Sequence, residues 1–190
     1  MDAPLVLAVG RLIAQKDHPT LLRAFARAHD VHPEARLAIL GSGPLEQETR
    51  QLVQRLGLDG AVVLPGRQAP RAWLTRATVF AHSSAWEGFG IVLLEAMLAG
   101  LPVVATRISA VPEVVADGQT GILVEPSDAE ALAAGLVRLL GDPGLARSLG
   151  DAGLARARAE FSVERMTDET LAVYEAALAP IPSASATSRQ

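Results

Sequence analysis

Short runs of apolar residues alternate along the chain with segments in which apolar residues recur every three or four positions. The apolar runs predict strands at 5–9, 36–40, 61–64, 78–81, 102–105 and 121–124. The segments between them predict helices at 20–29, 45–56, 70–76, 91–100, 127–141 and 162–178, and one more that opens at 142–143. Strands that alternate with helices form parallel β-α-β units. We therefore expect an α/β, Rossmann-like fold with a doubly wound parallel sheet.

Composition limits the class of protein. Of the 190 residues, 49% are hydrophobic and 20% are charged, as expected for one folded α/β domain, which we place at residues 1–179. Residues 180–190 are rich in Ser, Ala and Pro and predict a disordered tail. The net charge of −4 argues against a nucleic-acid-binding surface.

Cysteine and hydropathy limit cofactors and location. The chain has no cysteine, which excludes disulfides and thiolate metal sites, and its four histidines lack metal-ligand spacing, so we expect no metal. No basic segment precedes the first apolar run, and no apolar stretch reaches the ~18–20 residues needed to cross a bilayer. These features predict a cytoplasmic protein without a transmembrane segment.

Residues 87–95, E-G-F-G-I-V-L-L-E, carry the strongest functional signal and lie between a predicted strand and a helix. The free amides of a helix N-terminus favour a phosphate, and glycines let it approach the backbone. Carboxylates repel phosphate but accept hydrogen bonds from sugar hydroxyls, so Glu87 and Glu95 on either side indicate a nucleotide sugar. The alternative interpretation is a buried helix with two solvent-facing glutamates.

The loop after the first strand, G-R-L-I-A-Q-K at 10–16, is a second candidate. Arg11 offers a planar fork to phosphate oxygens, and Lys16, the only lysine of the chain, offers a point charge. Taken alone, the loop is better explained by solvated surface charges, and the presence of the Glu87 motif reverses that preference. Ligands of doubly wound sheets bind at the carboxyl ends of the strands, so this loop, residues 66–68 and residues 83–90 should converge there.

Several motifs together resemble one known family. The motif at 87–95 and the E-A-M-L-A-G-L-P-V-V-A that continues it resemble the signature of the retaining GT-B glycosyltransferases of the large "family 4" group. The loop at 10–16 resembles that family's G-R-L…K-G, and residues 111–115 and 117–121 resemble its downstream motifs. The motifs keep the family's order, and the resemblance covers nearly the whole chain.

The resemblance implies metal-independent transfer of a hexosyl group, with retention, from a UDP-, GDP- or ADP-sugar, and no cofactor besides that donor. It implies that Arg11 and Lys16 stabilise the departing diphosphate and that Glu87 holds the donor sugar, which makes these three the candidate catalytic residues. The remaining candidate donor-binding residues are Gly10, Gly66, Arg67, Gln68, Gly88, Phe89, Gly90, Ile91 and, for the ribose hydroxyls, Glu95.

The resemblance also implies that this chain is one half of a two-domain enzyme. An N-terminal acceptor-binding domain or partner chain would be missing, so we expect nucleotide-sugar binding with little turnover. The family's last helix crosses to that first domain, and the apolar residues at 162–178 would otherwise favour self-association. The full-length enzyme could then lie at the inner face of the membrane.

Three departures or ambiguities accompany the resemblance. Asp17 replaces the usual glycine after the lysine, which alters the expected loop geometry, and Ser109-Ala110 replace a glycine pair, which could change donor preference. Residues 41–46, G-S-G-P-L-E, lack the third glycine of a dinucleotide fingerprint and are interpreted as a plain turn. His82, at a strand end, is interpreted as structural.

Other functions stay open. One is a non-catalytic nucleotide-sugar-binding module, and another is a GT-B-like sugar-nucleotide epimerase. A phosphorylase is disfavoured, because the single lysine that could hold pyridoxal phosphate is already assigned to a diphosphate. The absence of a D-x-D motif disfavours metal-dependent glycosyl transfer.

Overall fold

A computed structural model of the chain describes residues 3–178, and these contain a six-stranded sheet. The strands are β1 Leu5–Val9, β2 Arg36–Leu40, β3 Val62–Gly66, β4 Val79–His82, β5 Val103–Thr106 and β6 Ile122–Val124. They lie in the order β3-β2-β1-β4-β5-β6, and every neighbouring pair is parallel. All six predicted strands are confirmed; the ends of β1 and β2 coincide with the prediction, and those of the other strands differ by at most two residues.

The helices follow the strands as the alternating pattern predicts. They are α1 His18–Val31, α2 Glu46–Arg55, α3 Arg71–Leu74, α4 Ile91–Leu98, α5 Val111–Val114, α6 Ala129–Gly141, α7 Pro143–Glu160 and α8 Val163–Leu178. A 3-10 turn, Ala14–Lys16, precedes α1. No bounds were predicted for α5, which is only four residues long.

Helices cover both faces of the sheet, and a cluster of buried residues lies on each face. Val6 and Ala8 belong to the cluster that includes α1 and α6, whereas Leu7 belongs to the cluster that includes α4 and α5. Successive residues of β1 therefore point into opposite cores, as expected for a central parallel strand. The doubly wound, Rossmann-like sheet is confirmed.

The sheet order determines where a ligand can bind. β1 pairs with β2 on one side and with β4 on the other. Successive strands are therefore added in one direction from β1 to β3 and in the opposite direction from β4 to β6, and the order switches between β1 and β4. Ligands of open α/β sheets bind at such a switch point, outside the carboxyl ends of the strands. The loops that follow β1 and β4 are those with the strongest sequence motifs.

The start of α6 differs from the sequence interpretation. The S-D-A-E at 127–130 predicts Ser127 as the helix N-cap, but Asp128 is the cap, and its Oδ1 accepts from the amides of Glu130 at 3.0 Å and Ala131 at 2.8 Å. Ser127 instead has a left-handed backbone (φ 60°), and its hydroxyl donates to Asp17 Oδ2 at 3.1 Å. This bond ties the start of α6 to the loop that precedes α1.

The last helix, α8, is the least buried part of the described chain. Every one of its residues is exposed, and Met166, Val173 and Tyr174 are 62%, 66% and 62% exposed. The predicted disordered tail, 180–190, lies outside the described residues. Among residues 3–178, none of the helices has both the length and the apolar content needed to span a membrane.

Candidate functional site

The loops after β1 and β4 are in direct contact. Lys16 Nζ donates to Glu87 Oε2, and the Ser83 hydroxyl donates to the Lys16 carbonyl at 2.8 Å. The Ala85 amide donates to the Gln15 carbonyl at 2.8 Å. The predicted convergence of these two loops is confirmed, because the only lysine and the first motif glutamate form an ion pair.

The Glu87 carboxylate is surrounded by donors. Its Oε2 accepts from Lys16 and lies 3.3 Å from His82 Nε2 and 3.4 Å from the Ser84 hydroxyl. The hydrogen bond to His82 and the charge and hydrogen bond of Lys16 outweigh the opposing effect of burial and lower the pKa of Glu87 to about 2. Glu87 is therefore ionised at neutral pH, with its oxygen atoms held in place.

The N-terminus of α4 follows this carboxylate. Gly90 is buried and has a left-handed backbone with φ 83°, and a Cβ there would lie 3.0 Å from Leu93 Cδ1. No side chain caps the helix, so the first amides of α4 have no side-chain acceptor. The neighbouring Phe89 and Ile91 are 41% and 66% exposed. This is the local geometry of an anion site.

Two further predicted residues, Gly88 and Glu95, lie before α4 and within it. The Gly88 amide donates to Glu87 Oε1 at 3.2 Å, within the same loop. Glu95 is exposed on α4, one turn beyond the helix start. The structure therefore keeps both motif glutamates on the same segment but does not bring their carboxylates into contact.

Arg11 lies in a separate, open pocket of about 390 Å³. The lining includes the predicted Gly10, Arg11, Arg67 and Gln68, together with Gly41 and Ser42. The sequence analysis missed Gly41 and Ser42, because it interpreted residues 41–46 as a plain turn. A Cβ on Gly41 would lie 1.9 Å from the Gly10 carbonyl oxygen, so the pair of glycines at 41 and 43 was the available signal of a close approach.

Two residues at the departures from the family pattern, Asp17 and Ser109, have the left-handed backbone that glycine adopts most readily. Asp17 has a left-handed backbone with φ 43°, and its Oδ1 accepts from the Thr20 amide at 3.3 Å as the N-cap of α1. Ser109 is also left-handed, with φ 45°. Asp and Asn occupy this region more readily than most residues.

Within residues 3–178, no group of three or more histidine, aspartate or glutamate side chains is arranged to hold a metal ion. The positive groups at the site are Arg11, Lys16 and the amides of α4.

Two curated relatives match most of this chain. An exopolysaccharide phosphotransferase of Streptomyces coelicolor is 40% identical over 135 residues, which are 70% of this chain and 14% of that protein. The GDP-mannose-dependent alpha-(1-6)-phosphatidylinositol monomannoside mannosyltransferase of Mycolicibacterium smegmatis is 36% identical over 153 residues, 75% of this chain and 40% of that protein. The chain thus spans less than half the length of these relatives.

Among solved structures, Anabaena HepE in complex with UDP and glucose has a TM-score of 0.86 and 26% identity, covering 92% of this chain and 49% of that chain. The family of glycosyl transferases group 1 matches residues 1–156, which include both contacting loops. The chain therefore belongs to the group 1 glycosyl transferases, a family of the GT-B type, as the sequence motifs predicted.

Proposed function

We propose that this chain is the donor-binding part of a glycosyltransferase that moves a hexosyl group from a nucleotide diphosphate sugar, with retention and without a metal ion. The contact of Lys16 with Glu87, beside the N-terminus of α4, is the observation that carries the proposal. A cation for phosphate and a carboxylate for sugar hydroxyls, one hydrogen bond apart, fit the place where a sugar joins its diphosphate.

In this arrangement the departing diphosphate meets positive groups from two directions. Arg11 and Lys16 supply charged donors, and the amides of Gly90 and Ile91 supply the positive end of α4. Stabilisation of developing charge by fixed donors is usually the largest contribution to catalysis. These groups supply the charge that a metal ion supplies in other glycosyltransferases.

The binding sites for the ribose and the base of the donor are assigned from the positions of the other candidate residues. Glu95, exposed on α4, is assigned to the ribose hydroxyls, and the open pocket beside Arg67 and Gln68 to the base. The base itself stays unassigned. HepE was solved with UDP, whereas the mannosyltransferase is named for GDP-mannose.

Donor binding requires Lys16 to change partners. In the described structure its ammonium faces Glu87. A diphosphate placed at the N-terminus of α4 offers a second anion, and the flexible lysine stem lets the ammonium turn toward it. Glu87 is then free to accept hydrogen bonds from the sugar.

A complete enzyme needs an acceptor site, which we assign to a second α/β domain or a partner chain. The surface for it is the exposed α8 and a cavity of about 620 Å³ between α8 and the loop residue Phe89. Phe161, beside α8, contacts Phe89 edge to face at 6.0 Å between ring centroids. A partner seated on α8 would therefore contact the sugar-binding loop directly.

The first test is isothermal titration of the purified chain with UDP, GDP and ADP in the presence of EDTA. We expect saturable binding of one of them, which Lys16→Glu reduces by about a hundredfold, since it replaces a phosphate donor by a repelling charge. Arg27→Glu is the charge-matched control, because Arg27 is exposed on α1, about 13 Å along the helix from its start.

Three outcomes decide between the alternatives. A folded wild-type chain that gives no heat with any of the nucleotides contradicts the proposal. Equal losses for Lys16→Glu and Arg27→Glu show that net charge, and not the site, determines binding. Binding that disappears only in EDTA contradicts metal independence.

A further inference from the structure

His82 is a buried histidine that the proposed reaction has not yet used. It is the last residue of β4, its side chain is 3% exposed, and its Nε2 lies 3.3 Å from Glu87 Oε2. The Ser84 hydroxyl lies 3.1 Å from the same nitrogen. The ring therefore contacts the carboxylate from the side of the protein interior.

The position of Glu87 depends on these inner donors. Residues 83–90 contain no helix or strand, so the backbone alone does not hold the glutamate. Its Oε2 faces Lys16, His82 and Ser84, but Lys16 must leave when a diphosphate binds. After that exchange His82 and Ser84 remain at Oε2, and the Gly88 amide of the same loop remains at Oε1.

Ser84 is itself anchored from a neighbouring strand. The buried Thr106, at the end of β5, donates its hydroxyl hydrogen to the Ser84 carbonyl at 2.7 Å. The inner donors are therefore fixed by the ends of β4 and β5, which are rigid parts of the sheet. A carboxylate held from this side keeps its other lone pairs directed to a ligand.

We propose that His82 is a positioning residue for Glu87: its Nε2–H fixes the carboxylate toward the donor sugar while Lys16 turns to the diphosphate. This inference rests on the proposed function and adds a residue to it. Packing alone does not explain a histidine here. In the described part of the chain its buried Nδ1 has no hydrogen-bond partner, so Nε2 is the polar atom that the structure uses.

Two substitutions separate the hydrogen bond from the volume of the ring. The amide nitrogen of His82→Gln lies about as far from the backbone as Nε2, whereas that of His82→Asn lies near the place of Nδ1. His82→Gln should therefore keep the contact with Glu87, and His82→Asn should lose it. His29→Gln is the control, because His29 is another histidine whose Nδ1 is buried and without a partner in the described residues, and it lies about 17 Å along α1 from the start of that helix.

The measurement is the ratio of two affinities for each variant, that for the nucleoside diphosphate that the wild type binds and that for its glucose or mannose ester. A bond to an ionised group justifies an expected loss of about tenfold in sugar-nucleotide affinity for His82→Asn, with diphosphate affinity nearly unchanged. His82→Gln and His29→Gln should keep the wild-type ratio.

A purely structural His82 gives a different result. All His82 variants would then lose thermal stability while the ratio stays at the wild-type value, and that outcome overturns the proposal. A wild type that binds the diphosphate but gains nothing from the sugar also overturns it. A wild type that binds no nucleotide contradicts the proposed function and leaves the inference to a second measurement.

That measurement is a carbon NMR titration of the Glu87 carboxyl, which needs no ligand. The pKa of Glu87, about 2 in the wild type, should rise toward 4.5 in His82→Asn and stay low in His82→Gln. Identical titrations in both variants show that His82 does not hold the carboxylate, whatever the chain binds.

Discussion

The candidate site has two halves that are built in different ways. In the paired half, Lys16 and Glu87 contact each other, and their side chains are only 17% and 12% exposed. In the open half, Arg11, Arg67 and Gln68 are exposed around a pocket of about 390 Å³. The charged side chains of the paired half are largely shielded from water and contact each other, whereas those of the open half are exposed to water.

This difference predicts which functions each charge serves. A charge that is buried beside its partner contributes to folding as well as to binding, because removing one residue of the ion pair leaves the other charge buried without a partner. An exposed charge contributes little to stability and is available to a ligand. The effect of a change on the free energy of unfolding should therefore decrease from the paired half to the open half.

The largest effect is expected on acidification. The pKa of Glu87 is depressed from 4.5 to about 2, so the folded state favours its ionised form. The resulting stability is present above the ordinary pKa and is lost as pH falls toward the folded value, by about 2 kcal/mol between about pH 5.5 and 3. Urea unfolding of wild type and Glu87→Gln across this range measures it. Equal slopes for the two proteins would assign the loss to another carboxyl.

A smaller effect is expected for Lys16→Met, which keeps the length of the side chain and removes its charge. Glu87 then loses one donor but keeps His82 and Ser84, so we expect a loss of about 1.5 kcal/mol. Urea unfolding and nucleotide titration of the same sample should show stability and affinity falling together. Unchanged stability would mean that the ion pair does not persist in solution.

The smallest effect on stability is expected for Arg11→Met in the open half. The unfolding free energy should change by less than about 0.5 kcal/mol, because the side chain is exposed, while nucleotide affinity falls about tenfold. The same two measurements apply, with Lys16→Met as the matched comparison. If Arg11→Met destabilises the chain as much as Lys16→Met, the division into a paired and an open half is wrong.

Much of the fold was predictable because buried positions are apolar and recur along the sequence with the period of the strand or helix that they belong to. The continuous apolar run that contains Val103–Thr106 predicts a strand covered on both faces, and the structure buries all four of its residues. Gly57 and Gly100, both with a left-handed backbone, follow the ends of α2 and α4. Ser127 failed as a cap because Asp128 offers an acceptor one residue later, a choice that local pattern does not decide.

The meeting of the loops after β1 and β4 was predictable, and the contacts between their side chains were less so. Parallel strands place their carboxyl ends at one edge, so Lys16 and Glu87 were expected to be close. Their direct pairing, across 71 positions of sequence, was not predicted. Gly41 was interpreted as part of a plain turn, because its close neighbour Gly10 follows a different strand. His82 was interpreted as structural although Glu87 is only five positions away, because residues 83–90 form no helix or strand whose period would predict the contact.

The sequence by itself determined the order of strands and helices, the family and the loops that meet at the carboxyl edge, since these depend on periodicity and on short motifs. Only the tertiary structure decided that Lys16 faces Glu87 and that His82 supports the carboxylate from within. The reason is physical. A side chain selects its partner by distance and burial in three dimensions, and both are established only when the ends of β1, β4 and β5 lie side by side.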